Sequence, residues 1–79
     1  MTQKTVTIYS TPSCHFCHLA KDFFDAHKVV YTEINVAADR EKAKEMVART
    51  KQMGVPVIDI GDETIIGFDE QKIKTALGI

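Results

Sequence analysis

Thr5-Val6-Thr7-Ile8-Tyr9-Ser10-Thr11-Pro12-Ser13-Cys14-His15-Phe16-Cys17 decides how this chain is read. Thr5 to Tyr9 alternates and is β-branched, so it reads as a first strand. Ser10-Thr11-Pro12-Ser13 breaks it, because Pro12 biases Thr11 away from helix. Ser13 is then the expected N-cap of a helix that begins at Cys14. A C-x-x-C pair at a helix start, just after a strand, reads as a redox dithiol rather than a structural bridge. Cysteines three apart on a helix have Cα atoms about 5–6 Å apart, which suits a disulfide that closes and reopens with little backbone movement. Cys14 and Cys17 are the chain's 2 cysteines, so redox function runs through this pair or not at all.

Outward from that stretch, Phe16, Leu19, Ala20, Phe23, Phe24 and His27 form one apolar stripe. The helix should end near His27-Lys28, where two potential cations suit the negative end of its dipole. Residues 29–36 read as a second strand, with imperfect alternation that suggests burial on both faces. Asp39 caps a second helix that runs to about Thr50, with Ala43, Met46 and Val47 inward. Residues 51–54 form a loop, and Val55 to Ile60 a third strand with Pro56 near its start. Gly61-Asp62 is a Gly-first two-residue hairpin turn, and Glu63 to Ile66 returns as a fourth strand. Asp69 caps a last helix that turns Ile73, Ala76 and Leu77 inward. The order is β-α-β-α-β-β-α, an α/β fold with a four-stranded mixed sheet and helices on both faces.

The 79 residues allow a single domain, 1–79. A net charge of −1 argues against a nucleic acid or an anionic membrane held by bulk charge. No apolar run is long enough to span a bilayer, and no signal-peptide pattern precedes the first strand. A reducing cytoplasm is the expected location, and a disulfide there is more often transient than structural.

Four features in order make the chain resemble a glutaredoxin of the thioredoxin superfamily. They are Tyr9-Ser10-Thr11-Pro12 leading into Cys14-His15-Phe16-Cys17, then Val55-Pro56, then the Gly61-Asp62 hairpin, then Gly67-Phe68-Asp69-Glu70. Gly67-Phe68 looks more like the redoxins that serve ribonucleotide reductase than like a glutathione-dependent glutaredoxin. The family's usual Pro-Tyr between the cysteines is His15-Phe16 here. Its Lys or Arg three before the nucleophile is Thr11, and the first of its paired glycines is Ile66.

The resemblance implies a thioredoxin-like fold and a dithiol–disulfide oxidoreductase. The attacking species is a thiolate. Cys14 sits where helix N–H groups favour an anionic sulfur, so it is the expected nucleophile, and Cys17, one turn deeper, the resolving thiol. His15, if protonated, would favour the thiolate and make the disulfide more oxidising. Phe16 is an expected substrate contact, and Thr11 and Pro12 shape the approach to the helix. By the resemblance Pro56 is cis and faces Cys14, which would leave the Val55 backbone groups free to pair with an extended substrate or with glutathione's cysteinyl unit. Gly67, Phe68, Asp69 and Glu70 would take glutathione's amino-acid head group, and Lys51 and Gln52 its other carboxylate. For Asp69 an ordinary helix cap is the alternative.

No bound prosthetic group or metal is required, and glutathione is the expected co-substrate. Protein disulfides and glutathionylated proteins are the expected partners of a monomer, with glutathione or a thioredoxin reductase as electron donor and ribonucleotide reductase as one candidate substrate. Two rivals use the same residues. Cys14 to His18 spells C-x-x-C-H, the c-type haem attachment pattern, with Met46 or Met53 as second ligand. An iron–sulfur or metal carrier would need a dimer, glutathione or histidines to complete two thiolates. The β-rich pattern and the absence of an export signal weigh against haem.

Overall fold

The structure, a computed structural model, describes residues 4–51 and 54–79. β1 (Val6–Ser10) is an inner strand of a four-stranded sheet whose order puts residues 32–35 first, then β1, then residues 57–60, then residues 63–66. It pairs in parallel with β2 (Thr32–Asn35), through α1 (His15–Ala26), and antiparallel with β3 (Val57–Ile60). α2 (Arg40–Thr50) links β2 to β3, β4 (Glu63–Ile66) pairs back on β3, and α3 (Glu70–Leu77) closes the chain. This is the expected thioredoxin-like β-α-β-α-β-β-α order with a four-stranded mixed sheet.

Alternation along the strands builds a core on each face. Val6 and Ile8 of β1, with Ile58 and Ile60 of β3, pack against Ala20, Phe23 and Phe24 of α1 and Ile73 and Ala76 of α3. Tyr9 and Val57 point the other way and pack on Met46 of α2. Full burial of an aliphatic or aromatic side chain contributes about 1.5–3 kcal/mol, so a chain this short depends on nearly all of them. Arg49 ties α2 to the sheet through two bonds to Asp59, at 3.0 and 2.9 Å, with its guanidinium 5.6 Å from the Tyr9 ring centroid.

Two expectations are corrected. The second strand is shorter than residues 29–36, and it is not buried on both faces. Among the described residues it is an edge strand that pairs only with β1, so Thr32 and Glu33 are exposed, and Val30 just before it is 77% exposed. α1 also ends differently from a dipole-matched pair of cations. Lys28 takes a left-handed φ of 57°, while the N–H groups of Lys28 and Val29 donate to Asp25 and Phe24 carbonyls at 3.2 and 2.8 Å. That is a Schellman stop, with lysine where glycine is usual. His27 instead lies against Phe23, with ring centroids 4.3 Å apart.

The hairpin turn is as read. Gly61 has φ of 59° and Asp62 is not left-handed, so only the first turn position needs glycine. Asp39 and Asp69 cap α2 and α3, accepting from the Lys42 and Lys72 N–H groups at 3.1 and 3.2 Å. The third strand begins at Val57, after Pro56 rather than before it. Among the described residues no helix is long and apolar enough to cross a membrane.

Candidate active site

The carboxyl end of β1 delivers the chain to the start of α1, and the turn between them sets the cysteines. The Cys14 N–H donates to the Thr11 carbonyl at 3.3 Å, closing a turn over Pro12 and Ser13. Ser13 is therefore inside the turn and does not cap the helix. Cys14 itself is the N-cap, with extended φ/ψ of −84° and 116°, and its sulfur accepts from the Cys17 N–H at 3.3 Å. The sulfur thus takes the place of a capping oxygen on a donor the helix leaves unpaired.

The two sulfurs have different surroundings. Cys14 is half-buried, while Cys17 is fully buried on the core side of α1. Burial pushes the Cys17 thiol up to about 12, aided by its hydrogen bond with Cys14 and opposed by the Thr11 backbone and the Lys21 charge. Cys17 is thus held as a thiol beneath an accessible partner.

The other motifs close around the pair. The Val55–Pro56 peptide is cis, Pro56 is fully buried, and the Cys14 Sγ–H points at the Val55 carbonyl oxygen 3.6 Å away. In the thiol form that carbonyl is thus engaged by Cys14 rather than free. The Gly67 N–H donates to the Pro56 carbonyl at 2.8 Å, from a φ of 83° that favours glycine. Cys14, Val55, Pro56 and Gly67 therefore form one continuous rim.

The remaining expected site residues are placed more variously. Phe16 is 56% exposed beside the cysteines, its ring edge-on to His15 at 5.6 Å. Phe68 packs on the core, with its ring centroid 6.2 Å from that of Phe23. The Asp69 carboxylate is engaged as a helix cap, and Glu70 pairs with Lys74 at 3.5 Å. Lys51 is exposed and left-handed at the end of α2, with φ of 61°. Gln52, expected beside it, and Met53, the alternative haem ligand, lie outside the described residues.

Several polar residues near the pair escaped the sequence reading. The His18 Nε2 lies 2.8 Å from the Pro12 carbonyl, so that nitrogen carries the proton and the ring braces the turn before Cys14. On the other flank, Ser10 and Lys21 both donate to Glu33 Oε2 at 2.8 Å. These bonds hold the Glu33 carboxyl below its usual range. Lys21 lies one helical turn after Cys17, which is a sequence signal, but its pairing with Glu33 needs the β1–β2 register. Among the described residues no cluster of three or more His, Cys, Asp or Glu side chains is arranged to hold a metal.

Residues 6–65 match the glutaredoxin family model. The chain belongs to the glutaredoxin family. It is 38% identical over 68 residues to a glutaredoxin-like 8.6 kDa protein of the rubredoxin operon in Clostridium pasteurianum, covering 86% of this chain and 91% of that one. It is 32% identical over 73 residues to glutaredoxin 3 of Escherichia coli strain K12, covering 92% of this chain and 88% of that one. Among solved structures, the glutaredoxin-like NrdH-redoxin of Escherichia coli superposes with a TM-score of 0.84 at 28% identity, covering 90% and 92% of the two chains. A cysteine pair at the head of α1 in this glutaredoxin fold makes the protein a thiol–disulfide oxidoreductase.

Proposed function

We propose that the protein, as a single domain over residues 1–79, reduces protein disulfides and glutathione mixed disulfides in the cytoplasm. Cys14 attacks a substrate sulfur and forms a mixed disulfide. Cys17 then attacks the Cys14 sulfur, the substrate leaves as a thiolate, and a Cys14–Cys17 disulfide remains. The observation that carries this reading is the contrast between the two sulfurs: one half-buried at the helix tip, the other fully buried beneath it.

The Val55 backbone, Pro56 and Phe16 supply a non-selective docking edge. Loss of the Cys14 proton releases the Val55 carbonyl, which can then accept from the substrate backbone. Glutathione is the first choice of electron donor and co-substrate. Its amino-acid end would meet Gly67, Phe68, Asp69 and Glu70, and its other carboxylate Lys51 and Gln52. A glutaredoxin of buckwheat, 24% identical, has been solved as a glutathione complex, which supports this choice by analogy.

A flavoprotein thioredoxin reductase is the second reading. It is favoured by Asp69 already serving as a cap, by Thr11 in place of a cation, and by the likeness to a redoxin described as having a thioredoxin-like activity profile. Ribonucleotide reductase is the corresponding substrate candidate, on the likeness to NrdH proteins.

Supplying glutathione with its reductase, and thioredoxin reductase separately, and following NADPH loss with a model disulfide tests both. Turnover with the first donor alone supports the first reading, and turnover with the second alone replaces it. Turnover with neither removes the proposed recycling.

A further inference from the structure

We infer that Lys21, held in place by Glu33, is a positioning residue for the second chemical step, stabilising Cys17 as an anion while it attacks the Cys14–substrate disulfide. This deepens the dithiol reading and rests on it. Cys17 is fully buried, so water cannot solvate its anion, and a buried anion needs a nearby cation. Lys21 follows it by four residues on α1, the spacing that puts two side chains on one helix face.

The lysine is not a free surface charge. Its side chain is only 18% exposed, and Glu33 Oε2 fixes its ammonium at 2.8 Å. The same oxygen accepts from Ser10, a fully buried hydroxyl at the end of β1, so the carboxylate is itself anchored to the sheet. This Ser10–Glu33–Lys21 chain joins β1, β2 and α1, and it ends on α1 one helical turn after the resolving cysteine.

The charged neighbours divide cleanly. Cys17 is acted on by Cys14, which disfavours its anion, and by Lys21, which favours it. Lys21 is acted on by Glu33, Tyr31 and Cys17, and Glu33 by Lys21 and His18 with the Ser10 bond. When Cys14 is tied up in a mixed disulfide it carries no charge, and Lys21 still favours the Cys17 anion. The step balances without any further reactant. The Cys17 proton leaves, its sulfur bonds to the Cys14 sulfur, the Cys14–substrate S–S bond breaks, and the substrate thiolate takes the electron pair and a proton.

The test uses the reduced full chain and a small aromatic disulfide whose released thiolate is coloured. The first equivalent released reports attack by Cys14 and the second reports attack by Cys17. Lys21→Met should slow the second release on the order of three- to tenfold at pH 7. It should leave the first release within about twofold, move the pH profile of the second release upward, and be rescued by Lys21→Arg. If the methionine variant does not fold, Lys21→Gln serves with the same readouts. An unchanged second release, or equal slowing of both, overturns the inference. Cys17→Ser is run alongside: if it still releases the second equivalent at the parent rate, the dithiol reading itself is wrong and this inference goes with it.

Discussion

The Cys14 thiol and the Val55 carbonyl, 41 residues apart in the chain, face one another at 3.6 Å across the active-site rim. A single proton decides what each can do. With it, the sulfur is a donor and the carbonyl is occupied. Without it, the sulfur is a nucleophile and the carbonyl can accept from a substrate. Cys14→Ser should therefore abolish turnover. Cys17→Ser should keep the first attack and stall there, with a mixed disulfide to a protein substrate that accumulates and is read as an intact-mass adduct. If Cys17→Ser reduces protein disulfides at the parent rate with no adduct, resolution by Cys17 is excluded.

Most of the fold was legible because each element carries its own local signal. The β-branched first strand, the Pro12 break, the Ala20, Phe23 and Phe24 part of the α1 stripe, the two Asp caps and the Gly61 turn are all short-range features, whereas Phe16 and His27 at the ends of that stripe are exposed. What failed was whatever depends on neighbours far along the chain. The edge position of β2 follows from strand order, which the imperfect alternation of residues 29–36 cannot reveal. Serine is a common cap, which points to Ser13, whereas turn closure on Thr11 places the cap at Cys14. The Ser10–Glu33–Lys21 contact joins three elements, and no spacing rule spans them.

His15 is the first residue of α1, where a missing N–H costs nothing because the helix leaves that donor unpaired. The preceding Cys14 already has the extended backbone that a residue before proline requires. His15→Pro should therefore stabilise the protein by about 0.4–1 kcal/mol, chiefly by restricting the unfolded chain. His15 is exposed, and two unit charges about 6 Å apart in water interact by only roughly 0.7 kcal/mol before screening, which bounds what its charge can do for the neighbouring sulfur. The disulfide should become more reducing by at most about 15 mV. Urea midpoints and equilibration against a thiol buffer check both, and a larger shift in potential would mean that His15 acts through more than its charge.

Lys28 holds a left-handed conformation that costs a non-glycine residue about 1–2 kcal/mol, and its N–H is already used in the helix stop. Lys28→Gly should raise stability by about 0.5–1 kcal/mol, less than the full relief because glycine also frees the unfolded chain. Thermal melts at one pH suffice. A loss of stability would show that the lysine side chain contributes packing that outweighs the strain.

Asp69 separates two roles by charge. As a cap it needs only an oxygen, and asparagine caps as well as aspartate, whereas alanine costs about 1 kcal/mol. Asp69→Ala should thus destabilise α3, and Asp69→Asn should leave stability within about 0.5 kcal/mol. If Asp69 also meets glutathione's ammonium, Asp69→Asn raises the KM for glutathione while the stability stays put. A KM that is unchanged in Asp69→Asn restricts the residue to capping.

Cys17 ties stability to alkaline pH. Its thiol titrates near 9.0 in an ordinary setting and is pushed up to about 12 in the folded chain. Above pH 9 the unfolded chain releases this proton while the folded chain keeps it. The unfolded state then binds fewer protons, and stability falls by up to about 1.4 kcal/mol per pH unit until the folded thiol titrates in turn. Below pH 9 the contribution is complete and flat. Lys21 and Tyr31 are both raised as well, so their protons add to the same decline above their ordinary values of 10.5 and 10.0. Denaturant midpoints of the reduced protein between pH 8 and about pH 9.5 isolate the cysteine, because there the lysine and tyrosine contributions are still small. The reduced Cys17→Ala variant should show a shallower slope across that interval. Identical slopes would mean that the buried sulfur ionises with little penalty, and Lys21 would then have no desolvated anion to stabilise.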